Sequence, residues 1–468
     1  MRVATISRAD LGKGHVRLDP AFYLGRELVR ARMGAEGSRH VRLLDIVESI
    51  SDGARLTGVP SGIPMLRLKN IRPCELDMSD LTQVDGGAAK WVNVRANDVL
   101  FTRAAQPFRG AAVQCGVPTK LAVSSELTII RPRPAVLPEY LAAVFCTPTM
   151  SQILRDLAYR GHASALPRLR LSDIGRLPIP LPPRSLQQSL GRQYQNAVEL
   201  TAGARAEINR VVSAIHAEIA HRVSGVEVPR GAIGIFRSSM PDRWDVSFHR
   251  GRVFRSRLAS FPSMRPLLTL AKPGALSVRG LDDDENVLAV QADDLNAATF
   301  LVESAQQRRL SEVSSRMRQR VQAGDVLLCT TGSGEQVAYL DDALGQDGQP
   351  ILGSATFTVL RFPETPRVFA VALAHPLVRE QLRLFSSGSI QQFVNQHDLD
   401  ELLVPVLGQV WREDFEARLA RAMQRRREAL LARSALIEAA DDYLREANQS
   451  APRDGDDSQP RQPLAGNS

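Results

Sequence analysis

The phrase NDVLFT at 97–102 returns as GDVLLC at 324–329. Asp98 and Asp325 are 227 residues apart, close to half of a 468-residue chain. Other landmarks keep nearly the same offset. Asp19 in LDPAFY answers Asp245 in WDVSFH, and Thr128 in LAVSSELTIIRP answers Thr358 in PILGSATFTVLRFP. Pro148 in FCTPTM answers Pro376 in LAHPLV, and Pro180 in LPIPLP answers Pro405 in LLVPVL. Five landmarks in one order at one spacing make an internal repeat, and a repeat binds the two halves to one fold used twice.

Each copy reads as mixed strand and helix. VLFT and VLLC are apolar runs entered through Asn-Asp or Gly-Asp, a turn leading into a strand. LTIIRP and FTVLRF alternate and stop at or near Pro. PEYLAAVFCTPTMSQILRDL at 138–157 has helical spacing with a Pro break. Each copy is followed by a long amphipathic stretch. In 185–223 the apolar positions are Leu186, Leu190, Tyr194, Val198, Ile208, Val212, Ile215, Ile219 and Val223. In 410–446 they are Trp411, Phe415, Leu419, Met423, Leu430, Ile437, Ala440 and Leu444. Both follow a period near 3.6. An unbroken helix over the first would run about 58 Å. Such stripes are too long for one small module to cover, so the two helices are expected to bury them against each other. The expected class is α+β: two tandem mixed modules separated by two long helices in an antiparallel coiled coil. The boundaries are 1–182 for the first module, 183–225 for the first helix, 226–407 for the second module, 408–448 for the second helix and 449–468 for a polar, Pro- and Gly-rich tail read as disordered.

Charge separates the two copies. Segment 1–184 holds 26 basic and 16 acidic residues, whereas 224–408 holds 19 and 21. The excess therefore sits on the first module. Only five of the 59 basic residues are Lys. Arg suits bidentate contact with phosphate and guanine, although a GC-rich coding sequence would also favour Arg. Cys74, Cys115, Cys146 and Cys329 form no CxxC pair, which suits a reducing cytoplasm and gives zinc no site. No run of eighteen apolar residues suggests a membrane span, and the first residues lack an apolar signal core.

Catalytic motifs are scarce. DPAFY at 19–23 resembles an amino-methyltransferase motif, but its partner DVSFH lacks the proline and no Gly-rich nucleotide turn precedes it. No ExK triplet accompanies an Asp for metal-dependent nuclease chemistry. His216 and His221, five apart, do not stack as an i, i+4 metal pair. GSGEQ at 332–336 has no following Lys-Ser/Thr. Ser124 and Ser125 in SSE, like SAT at 354–356, are turn residues or phosphate contacts; as nucleophiles they lack a base.

The polar loops are more informative. GIPMLRLKNIRP at 62–73 offers Arg67, Lys69, Asn70 and Arg72, where ENVLAVQADDLN offers Gln291. TRAAQPFRG offers Arg103, Gln106 and Arg109, where TTGSGEQ offers Thr330, Thr331, Ser333 and Gln336. YRGHASAL supplies Arg160 and His162, and SSGSIQQF supplies Ser389 and Gln391. One frame with different polar residues fits two readers of two targets, and Arg and Gln match guanine and adenine edges.

On these stretches the chain resembles the specificity subunit of type I restriction–modification systems, including its variants in methylation-associated phage-defence loci. The resemblance spans roughly 1–448. It is carried by GIPMLRLKNI, KWVNVRANDVLFTR, LAVSSELTIIRP, PEYLAAVFCTP and, most specifically, LSDIGRLPIPLPPRSLQQSLG. The second exit, HDLDELLVPVLGQVW, lacks the paired prolines and the Gln pair. The resemblance implies a non-catalytic cytoplasmic subunit whose two modules each read half of a split site in double-stranded DNA. It implies DNA methyltransferase (modification) subunits docked on the helices, S-adenosylmethionine bound to them and not to this chain, and a restriction or translocase subunit in complexes that cut. Two other classes fit the residues less fully. A stand-alone methyltransferase or nuclease would bind its own cofactor, and a duplicated protein scaffold would show no DNA sequence preference.

Overall fold

A computed structural model describes residues 40–449 except 88–89, 105–106, 159–166, 228–245, 279, 318, 332–335, 346–347, 388–392 and 395. Asp19 and Asp245, the first pair of landmarks, lie outside the described residues, as does the tail from 450. The chain divides into two compact units, Met1–Glu199 with Leu431–Ser468, and Leu200–Leu430. Each unit therefore takes one end of each long helix, where the sequence had suggested modules ending at 182 and 407.

In the first unit, Val47–Asp52, Leu127–Pro132, Val99–Thr102 and Gly110–Ala112 form a four-stranded sheet in that order. A three-stranded sheet of Thr82–Val84, Gly58–Leu66 and Ala122–Val123 accompanies it. In the second unit, Lys272–Pro273, Phe357–Arg361, Asp325–Cys329 and Val337–Tyr339 repeat the first sheet and are extended by Leu301–Val302 and Leu295–Asn296. Helices Pro138–Cys146 and Pro148–Leu157 of the first unit correspond to Pro366–Leu373 and Pro376–Phe385 of the second.

The twice-written phrase has a structural cause. Asn97 and Gly324 both take left-handed backbone, φ 70° and 93°, which Asn and Gly tolerate best. That turn buries the next residue, Asp98 or Asp325. Asp98 accepts from the Arg95 amide at 2.8 Å and holds Arg131 at 2.8 and 2.9 Å. Asp325 accepts from the Gln322 amide at 2.9 Å and holds Arg361 at 2.8 and 3.1 Å. Each Arg stands at or next to the end of the strand that pairs with the one the Asp begins or immediately precedes. A buried carboxylate needs such a partner, so the phrase recurs because it fastens the sheet.

The long helices are Arg184–Arg222 and Gln409–Gln449. Within the second unit they run antiparallel: Arg222 is near Gly408, Glu207 pairs with Arg425, and Arg426 donates to Thr201 at 3.1 Å. Ile208, Val211, Ile215 and Ile219 share one core with Phe415, Leu419, Ala422 and Met423, and also with Val326, Leu360 and Val371 of the module. Within the first unit, Leu190 and Tyr194 share a core with Leu436, Ala440 and Leu444, and with Phe101, Ile130 and Tyr140. The stripes are thus set into the module cores as well as against one another. The Tyr194 hydroxyl accepts from the Ala112 amide at 2.8 Å, tying helix to sheet. One stripe position differs: Trp411 is 47% exposed, leaning on Phe415. Val211 is buried more deeply than Val212.

Arg426 is fully buried in the second unit and meets Glu303 through two hydrogen bonds of 2.7 and 2.9 Å. The first unit places Arg433 against Glu75. Gln187, from the Gln pair after the proline exit, is also buried. It accepts from the Leu137 amide at 3.0 Å and donates to Pro182 at 3.1 Å. The second unit reaches the same end differently, with Glu416 accepting from the Val368 amide at 3.0 Å.

Candidate nucleic-acid interface

Backbone hydrogen bonds establish which residues of the two units are equivalent. The Arg67 amide donates to Asn70 Oδ1, and the Gln291 amide to Asp294 Oδ2, both at 2.8 Å. The Arg103 and Thr330 amides donate to the carbonyls of Glu126 and Thr356, both at 3.0 Å. Their own carbonyls accept from Leu169 and Val394, again at 3.0 Å. Thr102 and Cys329 donate to Arg109 and Gln336, each at 2.9 Å. Arg168 therefore corresponds to Phe393. Asp52 stands three residues after the Ser49–Arg131 pair and Ala275 three after the Lys272–Arg361 pair, so they correspond too.

In the first unit these positions make a charged constellation. Arg103 reaches Asp52 at 3.0 Å and donates to the Ser125 carbonyl at 3.2 Å. Burial pushes the Asp52 carboxyl up, while the Arg103 guanidinium pulls it back. Glu126 gathers the remaining charge. Burial works to raise its pKa, but the Ser124 hydroxyl, its own backbone, Arg168 and Arg67 outweigh burial and leave it lowered. Arg67 is exposed, and Arg168 half-buried. A guanidinium beside a carboxylate stays charged, and its planar fork suits bidentate contact with guanine or phosphate.

At the five equivalent positions the second unit carries no charge. Ala275, Gln291, Thr330, Thr356 and Phe393 stand where Asp52, Arg67, Arg103, Glu126 and Arg168 stand in the first. Thr330 Oγ1 donates to the Thr356 carbonyl at 3.2 Å, and Phe393 is 45% exposed.

The residues expected from sequence divide into several groups. Arg67, Arg103 and Ser125 join the first constellation, and Gln291, Thr331 and Gln336 are at least partly exposed on the second unit. Lys69 is exposed and paired with Asp80. Arg109 is half-buried and donates to the Ile71 carbonyl at 3.3 Å. Arg72 is half-buried. Asn70 is corrected: it is 2% exposed, and its amide donates to the carbonyls of Asp77 and Asp80 at 3.0 and 3.1 Å. Its task is to close a tight turn, a task Asp294 performs in the other unit. Ser124 and Thr330 are likewise buried; the Ser124 hydroxyl faces Glu126. Gln106, Arg160, His162, Ser333, Ser389 and Gln391 lie outside the described residues. Asp52, Glu126, Arg168 and Phe393 were not singled out from sequence. The constancy of the Leu169 and Val394 backbone bonds identifies the last two.

Among the described residues no group of three or more His, Cys, Asp or Glu is placed to hold a metal ion, and no helix is long and apolar enough to cross a membrane.

No family model and no curated protein matches the chain. Among solved structures it is similar to the HsdS subunit from Thermoanaerobacter tengcongensis, with 15% identity over 89% of this chain and 97% of that one and a TM-score of 0.30. It is similar to the type I restriction-modification system S subunit from M. genitalium, with 12% identity over 86% and 95% and a TM-score of 0.36. A chain from a study of assembly and conformational transition of the type I R-M system gives 14% identity over 88% and 95% and a TM-score of 0.26.

Proposed function

We propose that the chain is a sequence-specific DNA-recognition subunit whose two units read the two halves of a split site in double-stranded DNA, with no catalysis of its own. One observation carries this reading. The same backbone frame presents Asp52, Arg67, Arg103, Glu126 and Arg168 in one unit and Ala275, Gln291, Thr330, Thr356 and Phe393 in the other. An enzyme duplicated for chemistry would keep its reacting groups in both copies. A pair of readers keeps the frame and changes the face.

The contact set we propose for the first unit is Arg67, Lys69, Arg72, Arg103, Arg109, Ser125 and Arg168, with Arg67 and Arg168 toward guanine or phosphate. For the second it is Gln291, Thr331, Gln336 and Phe393. The antiparallel long helices are the surface on which methyltransferase subunits would dock. S-adenosylmethionine would then be bound by those subunits, and a restriction or translocase subunit would join where the complex cuts.

The test is selection from a random duplex pool by the purified full chain, with base-resolution methylation mapping in cells carrying or lacking the gene. A split motif recovered by both is expected. Purified chain that binds S-adenosylmethionine and methylates DNA alone would overturn the non-catalytic reading.

A further inference from the structure

Single exposed apolar side chains are ordinary on protein surfaces. Phe393 differs in where it stands. It occupies the position of Arg168 and is fixed from three sides. It bridges antiparallel to Thr331 and to Ser387. Its amide donates to the Ser387 carbonyl at 2.9 Å, and its carbonyl accepts from the Ser387 amide at 2.8 Å. The next residue, Val394, donates to Thr330 at 3.0 Å. A hydrogen-bonded backbone thus presents a large aromatic ring, 45% exposed, on the face we assign to DNA.

A phenyl ring has nothing to offer a phosphate. Among the described residues, the equivalent and adjoining positions Ala275, Gln291, Thr330, Thr331 and Thr356 hold no charge either. Among base edges in the major groove, one feature is apolar, the 5-methyl group of thymine. Resting on the proposed recognition role, we infer that Phe393 is a specificity-determining residue of the second unit that packs against a thymine methyl. Its half-site accordingly contains an A·T pair at one fixed position. The first unit's face, which carries guanidinium groups, reads a half-site of different character.

The probe is the full chain with duplex DNA. A random pool is selected first, and one split motif with an A·T pair in one half is expected. Deoxyuridine then replaces thymidine at each position of that half, which removes only the methyl group. One position is expected to lose affinity about fourfold, the worth of one buried methyl group. That loss disappears in Phe393→Ala, whose own selection relaxes at the same position alone. The deoxyuridine scan needs no variant, so it stands even if Phe393→Ala folds poorly. A split motif with no sensitivity to deoxyuridine in either half, or an unchanged preference in Phe393→Ala, would overturn the inference and leave the recognition role intact. An aromatic wedge between base steps gives the first of these outcomes, because unstacking does not need the methyl. A pool with no enriched motif would instead remove the recognition role on which the inference rests.

Discussion

The two units agree beneath the surface and disagree on it. Asp98–Arg131 and Asp325–Arg361 have nearly the same lengths and the same turn beneath them. Yet Arg103 in one unit is a threonine in the other, and Arg168 is a phenylalanine. The difference teaches that this fold keeps its stabilising charges and its facing residues on separate positions. A second contrast lies in how each unit holds its end of the long helices: one through a fully buried Arg426–Glu303 pair, the other through the less deeply buried Arg433–Glu75.

The largest test of the comparison concerns those pairs. Arg426→Ala strands the Glu303 carboxylate in the core and should cost about 3–5 kcal/mol. Arg433→Ala should cost roughly half as much, because Arg433 keeps some access to water. Denaturant melts of the full chain compare the two; equal losses would erase the contrast.

Next come the shared anchors. Asp98→Ala and Asp325→Ala each remove a turn cap and a bidentate partner, for about 2–3 kcal/mol. Their costs should match within about 0.5 kcal/mol by the same melts. A gap larger than 1.5 kcal/mol, on the order of one lost hydrogen bond, would mean that the frame is not energetically repeated.

Acid should separate the units again. His375 caps the helix beginning at Pro376 by accepting from the Leu377 amide at 3.2 Å. Burial, with the His216 ring beside it at 4.9 Å, holds its pKa down at about 4. Burial and the nearby Arg379 also lower that of His216, against its bond to the Val371 carbonyl. Between about pH 6.5 and 4 the unfolded chain takes up the proton first, so stability falls as pH falls through that window, by on the order of 2 kcal/mol. In the first unit the equivalent cap is the Thr147 hydroxyl, accepting from the Met150 amide at 3.1 Å, and it has no charge to gain. Hydrogen exchange at pH 7 and pH 4.5 should show the second unit loosening first. His375→Thr should remove the difference, and a first unit loosening equally would count against this assignment.

The smallest effect is electrostatic. Changing Arg67 and Arg168 to Gln should lower the salt dependence of DNA binding by about two counterions, whereas Gln291→Ala and Gln336→Ala should leave the slope alone. Equal slopes across all four variants would remove the charge distinction between the faces.

Much of this frame is legible in the sequence, because a repeat exposes what must be kept. The Asp of NDVLFT and GDVLLC, the prolines that open the paired short helices, and the two amphipathic stripes all recur. The site is less legible. Asn70 looks like a DNA contact when taken alone. Its counterpart Asp294 is the clue to its real work, since Asn and Asp share the ability to close a turn and not the ability to read adenine. Asp52 and Arg103 are 51 residues apart and meet only because Asp52 lies opposite Thr128, next to the strand that carries Thr102. No local pattern announces such a pair. The depth to which Tyr194 and Ile208 enter the module cores was also hidden, because periodicity reveals a stripe but not what covers it.

The separation of Asp98 and Asp325 from the residues above them bears on how such a chain can change over generations. Because the anchors occupy positions of their own, a new side chain at position 168 or 393 would, on the proposed role, alter what is recognised and leave those anchors in place. On that role, specificity could drift one residue at a time while the frame persists, and one copy could acquire a new target while the other preserves the old one.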